Sequence, residues 1–185
     1  LFRLNNETEK QKKLYLNSIQ NSSMKTLYIV RHAKSSWDYD GIKDIDRPLK
    51  KRGIEDAYLI SEVLSKKIDT PSVFVSSSAN RALHTAMIFS YAFNYPLAYL
   101  KISKSLYSFS DGYLIKTVKA LDDSFNSAII FSHDHGISDF VNKYGDKEID
   151  HVPTCGVVGI TFNTDQWKNI KNGKTMLTEF PEYHK

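Results

Sequence analysis

The strongest constraint on the fold is the alternation, from Met24 onward, of short apolar runs with segments of helical periodicity. Residues 26–30 (TLYIV) and 128–132 (AIIFS) are apolar runs rich in β-branched and aromatic residues, which is typical of buried strands. Between such runs apolar residues recur every three or four positions, as from Gly53 to Lys67, which is typical of amphipathic helices. The alternation predicts an α/β fold, a three-layer α/β/α sandwich around a mostly parallel, mixed sheet.

The same pattern predicts the order of the elements along the chain. Strands are expected at residues 26–30, 72–76, 97–101, 128–132, 157–162 and 174–180. Helices are expected at residues 53–67, 80–93, 111–121 and 136–144, with Asn80 and Ser110 as the N-caps of the second and third. Because helices separate most of the strands, we expect parallel pairing, with antiparallel strands near the end of the chain.

Composition describes an ordinary globular protein. Its 185 residues suit one domain, and 41% are apolar and 25% charged. The single cysteine, Cys155, excludes an internal disulfide and a zinc site built from cysteines. No apolar run approaches the ~20 residues needed to cross a bilayer. We therefore expect a cytoplasmic protein that does not bind membranes.

The first 23 residues differ from the rest because they are polar, rich in asparagine and without the apolar segment of a signal peptide. We expect residues 1–23 to be an N-terminal extension, poorly ordered or not native. Residues 24–185 are then a single domain that starts at Met24. The net charge is +4, and the extension holds four basic against two acidic side chains. The remaining positive charge is too small to predict a nucleic-acid partner.

Reactive side chains follow three of the predicted strands. Arg31 and His32 come directly after the first strand, Arg81 follows the second at a helix start, and His133 follows the fourth. Ligands of parallel sheets bind at the carboxyl ends of the strands. We therefore expect these four side chains to converge on one rim of the sheet.

This set of side chains suits phosphoryl transfer. A guanidinium group is always charged and binds phosphate oxygens in a bidentate manner, so Arg31 and Arg81 fit a phosphoryl group. A neutral imidazole is a nucleophile, and two adjacent guanidinium groups lower its pKa and keep it neutral. A second imidazole can donate to the phosphoryl oxygens. The residues thus predict a phosphoryl-transfer site that uses neither a metal nor a cofactor.

Four segments, in order along the chain, are similar to the motifs of a known family. RHAKSSW at 31–37 resembles an RHG or RHA signature, and DRPLKKRG at 46–53 resembles a D-x-PL-x-x-x-G segment. SSANRALHTA at 77–86 resembles SSxxxRAxxTA, and SHDHG at 132–136 takes the place of GHxxG. Together they resemble the histidine phosphatase (phosphoglycerate mutase-like) superfamily, in particular its SixA-type phosphohistidine phosphatase branch.

The resemblance implies a phosphoglycerate mutase-like fold and a role for each matching residue. It makes His32 the nucleophile that is transiently phosphorylated, Arg31 and Arg81 phosphate-binding residues, and His133 the second catalytic histidine. It places Ser35 against the phosphate. The implied substrate is a phosphohistidine on a partner protein or a small phosphorylated molecule, hydrolysed without a metal.

The chain also departs from the family pattern. Asp38 stands where mutase-type members have an asparagine that contacts phosphate, and we leave it out of the site because a carboxylate would repel phosphate. Lys104 and Ser105 stand where many relatives have a glutamate proton donor. Asp134 is the candidate general acid, because it directly follows His133 as in the acid phosphatase branch.

Three alternatives need separate tests. A phosphoglycerate mutase-like phosphotransferase would need a longer insertion to close over its substrate, and a non-catalytic module would bind phosphorylated ligands without turnover. His133 and His135 also imitate half of a binuclear metal site. That site requires a carboxylate two residues after the second histidine, where this chain has Ile137.

Overall fold

A computed structural model describes residues 24–108 and 110–185. The expected N-terminal extension, residues 1–23, lies outside the described residues. The strands are β1 (Lys25–Arg31), β2 (Val73–Ser77), β3 (Lys101–Ser103), β4 (Ser127–Ser132), β5 (Val157–Phe162) and β6 (Lys174–Glu179). The helices are α1 (Lys51–Ser65), α2 (Asn80–Ala92), α3 (Asp111–Lys119) and α4 (Gly136–Tyr144).

The strands form one mixed sheet in the order β3-β2-β4-β1-β5-β6. The pairs β1–β4, β2–β4 and β2–β3 are parallel, whereas β5 pairs antiparallel with both β1 and β6. The prediction of a largely parallel sheet with antiparallel strands near the end of the chain is therefore confirmed. In the register of β1 and β4, Arg31 pairs with Ser132, so the residues that follow both strands emerge side by side.

Strand β1 shows why the sheet is buried on both faces. Leu27 and Ile29 belong to the apolar cluster that holds helices α3 and α4, and Tyr28 and Val30 belong to the cluster with α1 and α2. Successive side chains of a strand point to opposite faces, so a continuous apolar run fills both layers. This gives the three-layer sandwich that the sequence predicts.

Two details of the predicted elements are wrong. Residues 97–99 form a 3₁₀ turn, and the strand predicted at 97–101 begins only at Lys101. Pro96 precedes this turn, and only three residues pair with β2 afterwards. Asn80 does not cap α2, because its side chain instead donates to the carbonyl of Asp46. Ser110 does cap α3, since its hydroxyl accepts from the Gly112 backbone N–H.

Gly53, in the first turn of α1, lets this helix approach the loop after β1. A Cβ at this position would lie 2.2 Å from the carbonyl oxygen of Lys34, far inside van der Waals contact. The same carbonyl accepts from the Lys50 backbone N–H at 2.8 Å. The start of α1 thereby fixes the segment that carries Ser35 and Ser36.

None of the helices in the described part of the chain has the length and apolar character needed to span a bilayer.

Candidate active site

His32 follows the last residue of β1 and is held by its backbone and by its ring. Its backbone N–H donates to Ser132 at 3.0 Å, which fixes its Cα beside the end of β4. Ring nitrogen Nδ1 lies 2.8 Å from the carbonyl oxygen of Ala33 and Nε2 lies 3.2 Å from Arg81 Nε. Because a carbonyl only accepts and a guanidinium only donates, the proton resides on Nδ1 and the lone pair on Nε2.

The charge state of His32 follows from its surroundings. Burial lowers the pKa of His32 to about 3, aided by the positive charges of Arg81, Arg31 and Arg47, and only partly opposed by the bond to Ala33. The ring is therefore neutral near pH 7. A neutral imidazole is the form that attacks an electrophile, and in His32 the Nε2 lone pair that would attack accepts a hydrogen bond from Arg81 Nε.

Arg81, in the first turn of α2, is fixed on several sides. It is only 1% exposed, and its Nη1 donates to the carbonyl of Asp44 at 2.6 Å. Its Nη2 donates to Asp44 Oδ2 at 3.0 Å, and its Nε donates to His32. Each nitrogen of the guanidinium therefore has a protein partner, which sets the orientation of the group before any ligand binds.

Asp44, in a short 3₁₀ turn at residues 44–46, joins two arginines and a tyrosine. Its carboxylate accepts from Arg47 Nη1 at 2.9 Å, from Arg81, and from the Tyr107 hydroxyl at 2.6 Å. Burial raises the pKa of Asp44, but these hydrogen bonds and the charge of Arg81 outweigh burial and lower it to about 2. A permanent carboxylate thus orders the positive groups on this side of the site.

Arg31, the last residue of β1, is held by a different set of partners. Its Nη1 lies 3.0 Å from Asp134 Oδ2, 2.8 Å from the carbonyl of Val152 and 2.7 Å from His151 Nε2. Ring nitrogen Nδ1 of His151 lies 3.3 Å from the same oxygen of Asp134. The imidazole of His151 therefore lies between Arg31, which donates to its Nε2, and the carboxylate of Asp134.

The surroundings of Asp134 bear on its candidate role as general acid. Burial raises the pKa of Asp134, but the His135 backbone N–H, the charge of Arg31 and the Ser138 hydroxyl together lower it below its usual range. Ser138 donates to Oδ1 at 3.0 Å. A carboxyl group held in its ionised form has no proton to give near pH 7, so these contacts favour a partner of Arg31 over a proton donor.

His133 follows β4 and lies beside His32, with 1% of its surface exposed. Its ring centroid is 5.1 Å from that of His32, and its Nε2 lies 2.8 Å from the hydroxyl of Ser77 at the end of β2. Burial lowers the pKa of His133 to about 3, with further contributions from His32 and Arg81. Both imidazoles of the site are therefore neutral near pH 7.

A cavity of about 450 Å³ opens above these groups. Ser35 lies at its wall, and its hydroxyl accepts from Arg47 Nη2 at 2.7 Å. The cavity is lined by Arg31, His32, Lys34, Ser35, Trp37, Asp44, Arg47, Lys50, Arg81, Asp134, His135 and Thr154.

The structure thus brings together the residues that the sequence singled out. Arg31, His32, Arg81, Ser35 and Asp134 all line the cavity, and His133 lies directly against His32. Asp38, which sequence reasoning left out, is an exposed residue paired with Lys50 at 3.3 Å.

Other residues of the site escaped sequence reasoning. Arg47 stands inside the DRPLKKRG segment, which gave a signal for its neighbourhood but none for its role. Asp44 and His151 lie in loops where no periodicity or motif marks them. Within residues 24–108 and 110–185, no group of three histidine, cysteine, aspartate or glutamate side chains is arranged to hold a metal ion.

Comparison with protein families and curated relatives agrees with this site. The family model described as "Histidine phosphatase superfamily (branch 1)" matches residues 27–102, which include His32 and Arg81. An uncharacterized protein from Mycobacterium tuberculosis (strain H37Rv) is 26% identical over 161 residues, which cover 82% of this chain and 98% of that protein. An uncharacterized chloroplastic protein from Arabidopsis thaliana is 41% identical over 64 residues; these cover 35% of this chain but only 29% of the plant protein.

Solved structures share the fold. The protein histidine phosphatase SixA complexed with tungstate superposes with a TM-score of 0.74 at 19% identity, covering 86% of this chain and 99% of that one. A phosphoglycerate mutase from Bacillus anthracis gives a TM-score of 0.59 at 15% identity, covering 87% and 95%. The phosphoglycerate mutase-like fold that the sequence predicts is therefore confirmed.

Proposed function

We propose that the chain is a member of the histidine phosphatase superfamily and that it hydrolyses phosphoryl groups through a covalent phosphohistidine on His32, without a metal ion. The family match supports a phosphatase. The observation that carries the proposal is the geometry of His32, whose Nε2 lone pair lies 3.2 Å from Arg81 at the wall of the cavity. The ring is neutral and its tautomer is set by Ala33.

In the first step the substrate phosphoryl group binds between the guanidinium groups of Arg31 and Arg81, with Ser35 at the same wall. The Nε2 lone pair of His32 is released by the Nε–H of Arg81, which then donates to a phosphoryl oxygen. The lone pair attacks phosphorus, an N–P bond forms, and the bond to the leaving group breaks with its electron pair. The preset positive charges stabilise the oxygens as charge spreads over them, which is where such sites obtain most of their rate. We assign to His133, whose ring centroid lies 5.1 Å from that of His32, a contact with the same oxygens.

In the second step water attacks phosphorus of the phosphohistidine. The N–P bond breaks, its electron pair returns to Nε2 of His32, and inorganic phosphate leaves with the oxygen and protons of the water. The bond from Nδ1 to Ala33 stabilises the positive ring of the intermediate. His32 ends as the neutral imidazole with which it began.

The leaving group narrows the substrate class. Asp134 is held ionised by Arg31 and its other donors, and Asp44 is ionised for similar reasons, so neither carboxyl supplies a proton near pH 7. When the substrate is a phosphohistidine whose ring is protonated, the leaving group is a neutral imidazole, and no general acid is needed. We therefore infer that the enzyme prefers P–N substrates, a phosphohistidine on a protein or a small phosphoramidate, over alkyl phosphate esters.

Trapping of the intermediate tests the proposal. The protein is mixed with ³²P-labelled phosphoramidate, quenched in base and digested, since phosphohistidine survives base but not acid. We expect one labelled peptide, containing residue 32, together with release of phosphate that continues in excess EDTA. The His32→Ala variant should carry no label, whereas His84→Ala, which changes an exposed histidine of α2, should label like the wild type.

The rival activities give different results in the same assay. A module that only binds phosphorylated ligands would bind phosphoramidate without label or release of phosphate. A mutase-like phosphotransferase would carry the label on His32 but pass it to an added sugar-acid phosphate faster than to water. Loss of turnover in EDTA, restored by a divalent metal, would contradict a mechanism without metal.

A further inference from the structure

Trp37 presents a large aromatic surface at the wall of the cavity. Its side chain is 64% exposed, although it follows directly on the segment that carries the nucleophile and lines the same cavity. The guanidinium of Arg47 is stacked on the indole, 3.5 Å from the ring centroid. Because Arg47 covers one face of the indole, the exposed area belongs to the opposite face and the ring edges.

Arg47 holds this indole in a defined place. Its Nε donates to the carbonyl of Ser36 at 3.0 Å, its Nη1 to Asp44 and its Nη2 to Ser35. The residue is only 9% exposed, so its guanidinium is a rigid support. A planar guanidinium packed against a tryptophan face is a favourable contact that also removes freedom from the ring.

The indole is connected to the nucleophile by consecutive contacts. Arg47 binds Asp44, Asp44 binds Arg81, and Arg81 donates to His32 Nε2. These contacts hold the indole of Trp37 at a fixed position relative to the atom that attacks phosphorus. Arginines and Ser35 line the part of the cavity where the phosphoryl group would bind. Trp37 adds a large aromatic surface to the same cavity.

We propose that the open face of Trp37 is the leaving-group subsite and that it selects planar aromatic leaving groups. The proposal rests on the proposed phosphatase function and narrows its substrate class to phosphoryl groups carried on a flat ring, the imidazole of phosphohistidine above all. A ring stacked on the indole is aligned for departure, whereas ammonia or an aliphatic group gains nothing from this surface.

The test is a selectivity ratio, kcat/KM for N-phosphohistidine divided by kcat/KM for phosphoramidate. Both substrates contain a P–N bond, but only one has an aromatic leaving group. We expect Trp37→Leu to lower the ratio about fivefold, as for loss of a stacked ring, and Trp37→Phe to retain most of it. Tyr39→Leu is the matched control, because Tyr39 is 58% exposed but does not line the cavity.

Each outcome decides a separate point. A ratio in Trp37→Leu equal to that of the wild type overturns the subsite and leaves the phosphatase proposal standing. An equal loss on both substrates also overturns it, because Trp37 would then act only by supporting Arg47. A wild type that hydrolyses neither substrate overturns the proposed function, and the subsite with it.

Discussion

Arg31 and Arg81 carry the same charge on the same cavity, but the fold holds them in different ways. Arg81 is almost completely buried, and Asp44 binds it through both its backbone and its side chain. Arg31 keeps 16% of its side chain exposed and depends on one guanidinium nitrogen, Nη1, shared among Asp134, Val152 and His151. One arginine is thus part of the packed structure, and the other is a partly open group held by a small polar cluster.

The difference indicates that the two arginines contribute in different proportions to the rate of the reaction and to the binding of phosphate. A buried arginine with fixed donors loses little entropy when it binds phosphate, which favours rate. A more open arginine can adjust to the incoming group, which favours binding and release. If this division is correct, variants of the two arginines will not have equal effects.

The largest effect is expected for Arg81→Ala. This change removes the donor to His32 Nε2 and the buried charge beside the phosphoryl group, and we expect kcat/KM to fall about 10³-fold, as for loss of a preset donor at a developing charge. Steady-state kinetics with phosphoramidate measure it. Arg81→Lys keeps the charge but not the fork of donors, and it should recover only a small part of the loss. A loss below tenfold would contradict the assigned role.

The free energy of unfolding is expected to fall in acid because of the two buried histidines of the site. His32 and His133 have pKa values lowered to about 3 in the folded protein, against 6.5 when free. Between pH 6.5 and 3 the two rings bind protons in the unfolded chain but not in the folded chain, so the free energy of unfolding decreases as pH falls. Each proton that the unfolded chain binds and the folded chain does not lowers the free energy of unfolding by about 1.4 kcal/mol per pH unit.

Urea denaturation at pH 7, 6 and 5 measures this slope. The His32→Asn variant removes one of the two titrating rings and should show a shallower loss between pH 6 and 5. Equal stability of the wild type at pH 7 and 5 would contradict the neutral, buried state of both rings. Below pH 4 the carboxylate of Asp44, with its pKa lowered to about 2, adds a second loss as it becomes protonated.

Arg31→Ala is expected to have a smaller effect than Arg81→Ala. Because the guanidinium of Arg31 binds Asp134, Val152 and His151 rather than the ring of His32, its removal should weaken phosphate binding more than it disturbs His32, and we expect a loss of about 30-fold in kcat/KM. The loss should appear mainly in KM and in the inhibition constant of inorganic phosphate. If both variants lost the same factor in kcat, the proposed division between the arginines would be wrong.

Asp134→Asn separates two roles for this carboxylate. If Asp134 acts only as the partner of Arg31, the substitution should lower kcat/KM about tenfold on all substrates, since only the orientation of the guanidinium is relaxed. If Asp134 is the general acid, the substitution would lower kcat/KM far more for an alkyl phosphate than for phosphoramidate, because only the alkoxide leaving group requires a proton. Comparison of the two substrates in one variant distinguishes these roles.

The smallest effect is expected for His151→Ala. The ring is half exposed and supports Arg31 only through Nη1, so we expect a loss of about threefold in kcat/KM, within the range of a partly exposed hydrogen bond. Steady-state kinetics beside His84→Ala, the exposed histidine of α2, measure it. A loss as large as that of Arg31→Ala would make His151 a full member of the site.

Much of this architecture could be predicted from the sequence, since its apolar periods are local. The runs at β1, β4 and β5 differ from prediction by at most one residue at each end. The residues at strand ends were predictable too, because parallel strands place their carboxyl ends together and short motifs mark those ends. The strand at β3 was misplaced because three exposed or half-buried residues give little hydrophobic signal.

The partners of the arginines were not predictable in the same way. Asp44 reaches Arg81 across 37 residues and His151 reaches Arg31 across 120, and both lie in loops whose path depends on the completed fold. Polar contacts of this kind leave no periodic trace in the sequence. The position of His32 beside Arg81 at the cavity could therefore be predicted from the sequence, whereas the carboxylate and imidazole partners of the two arginines could not.

The central position of β1 has a consequence for the lifetime of the site. This strand is paired on both sides, by β4 and β5, and it belongs to both apolar layers. The backbone N–H of His32 is bonded to Ser132 beside this strand, so we expect it to exchange with deuterium more slowly than the amides of the exposed loops. A tight ligand of the cavity will therefore raise the melting temperature of the entire molecule, and thermal shift screening will detect inhibitors without a turnover assay.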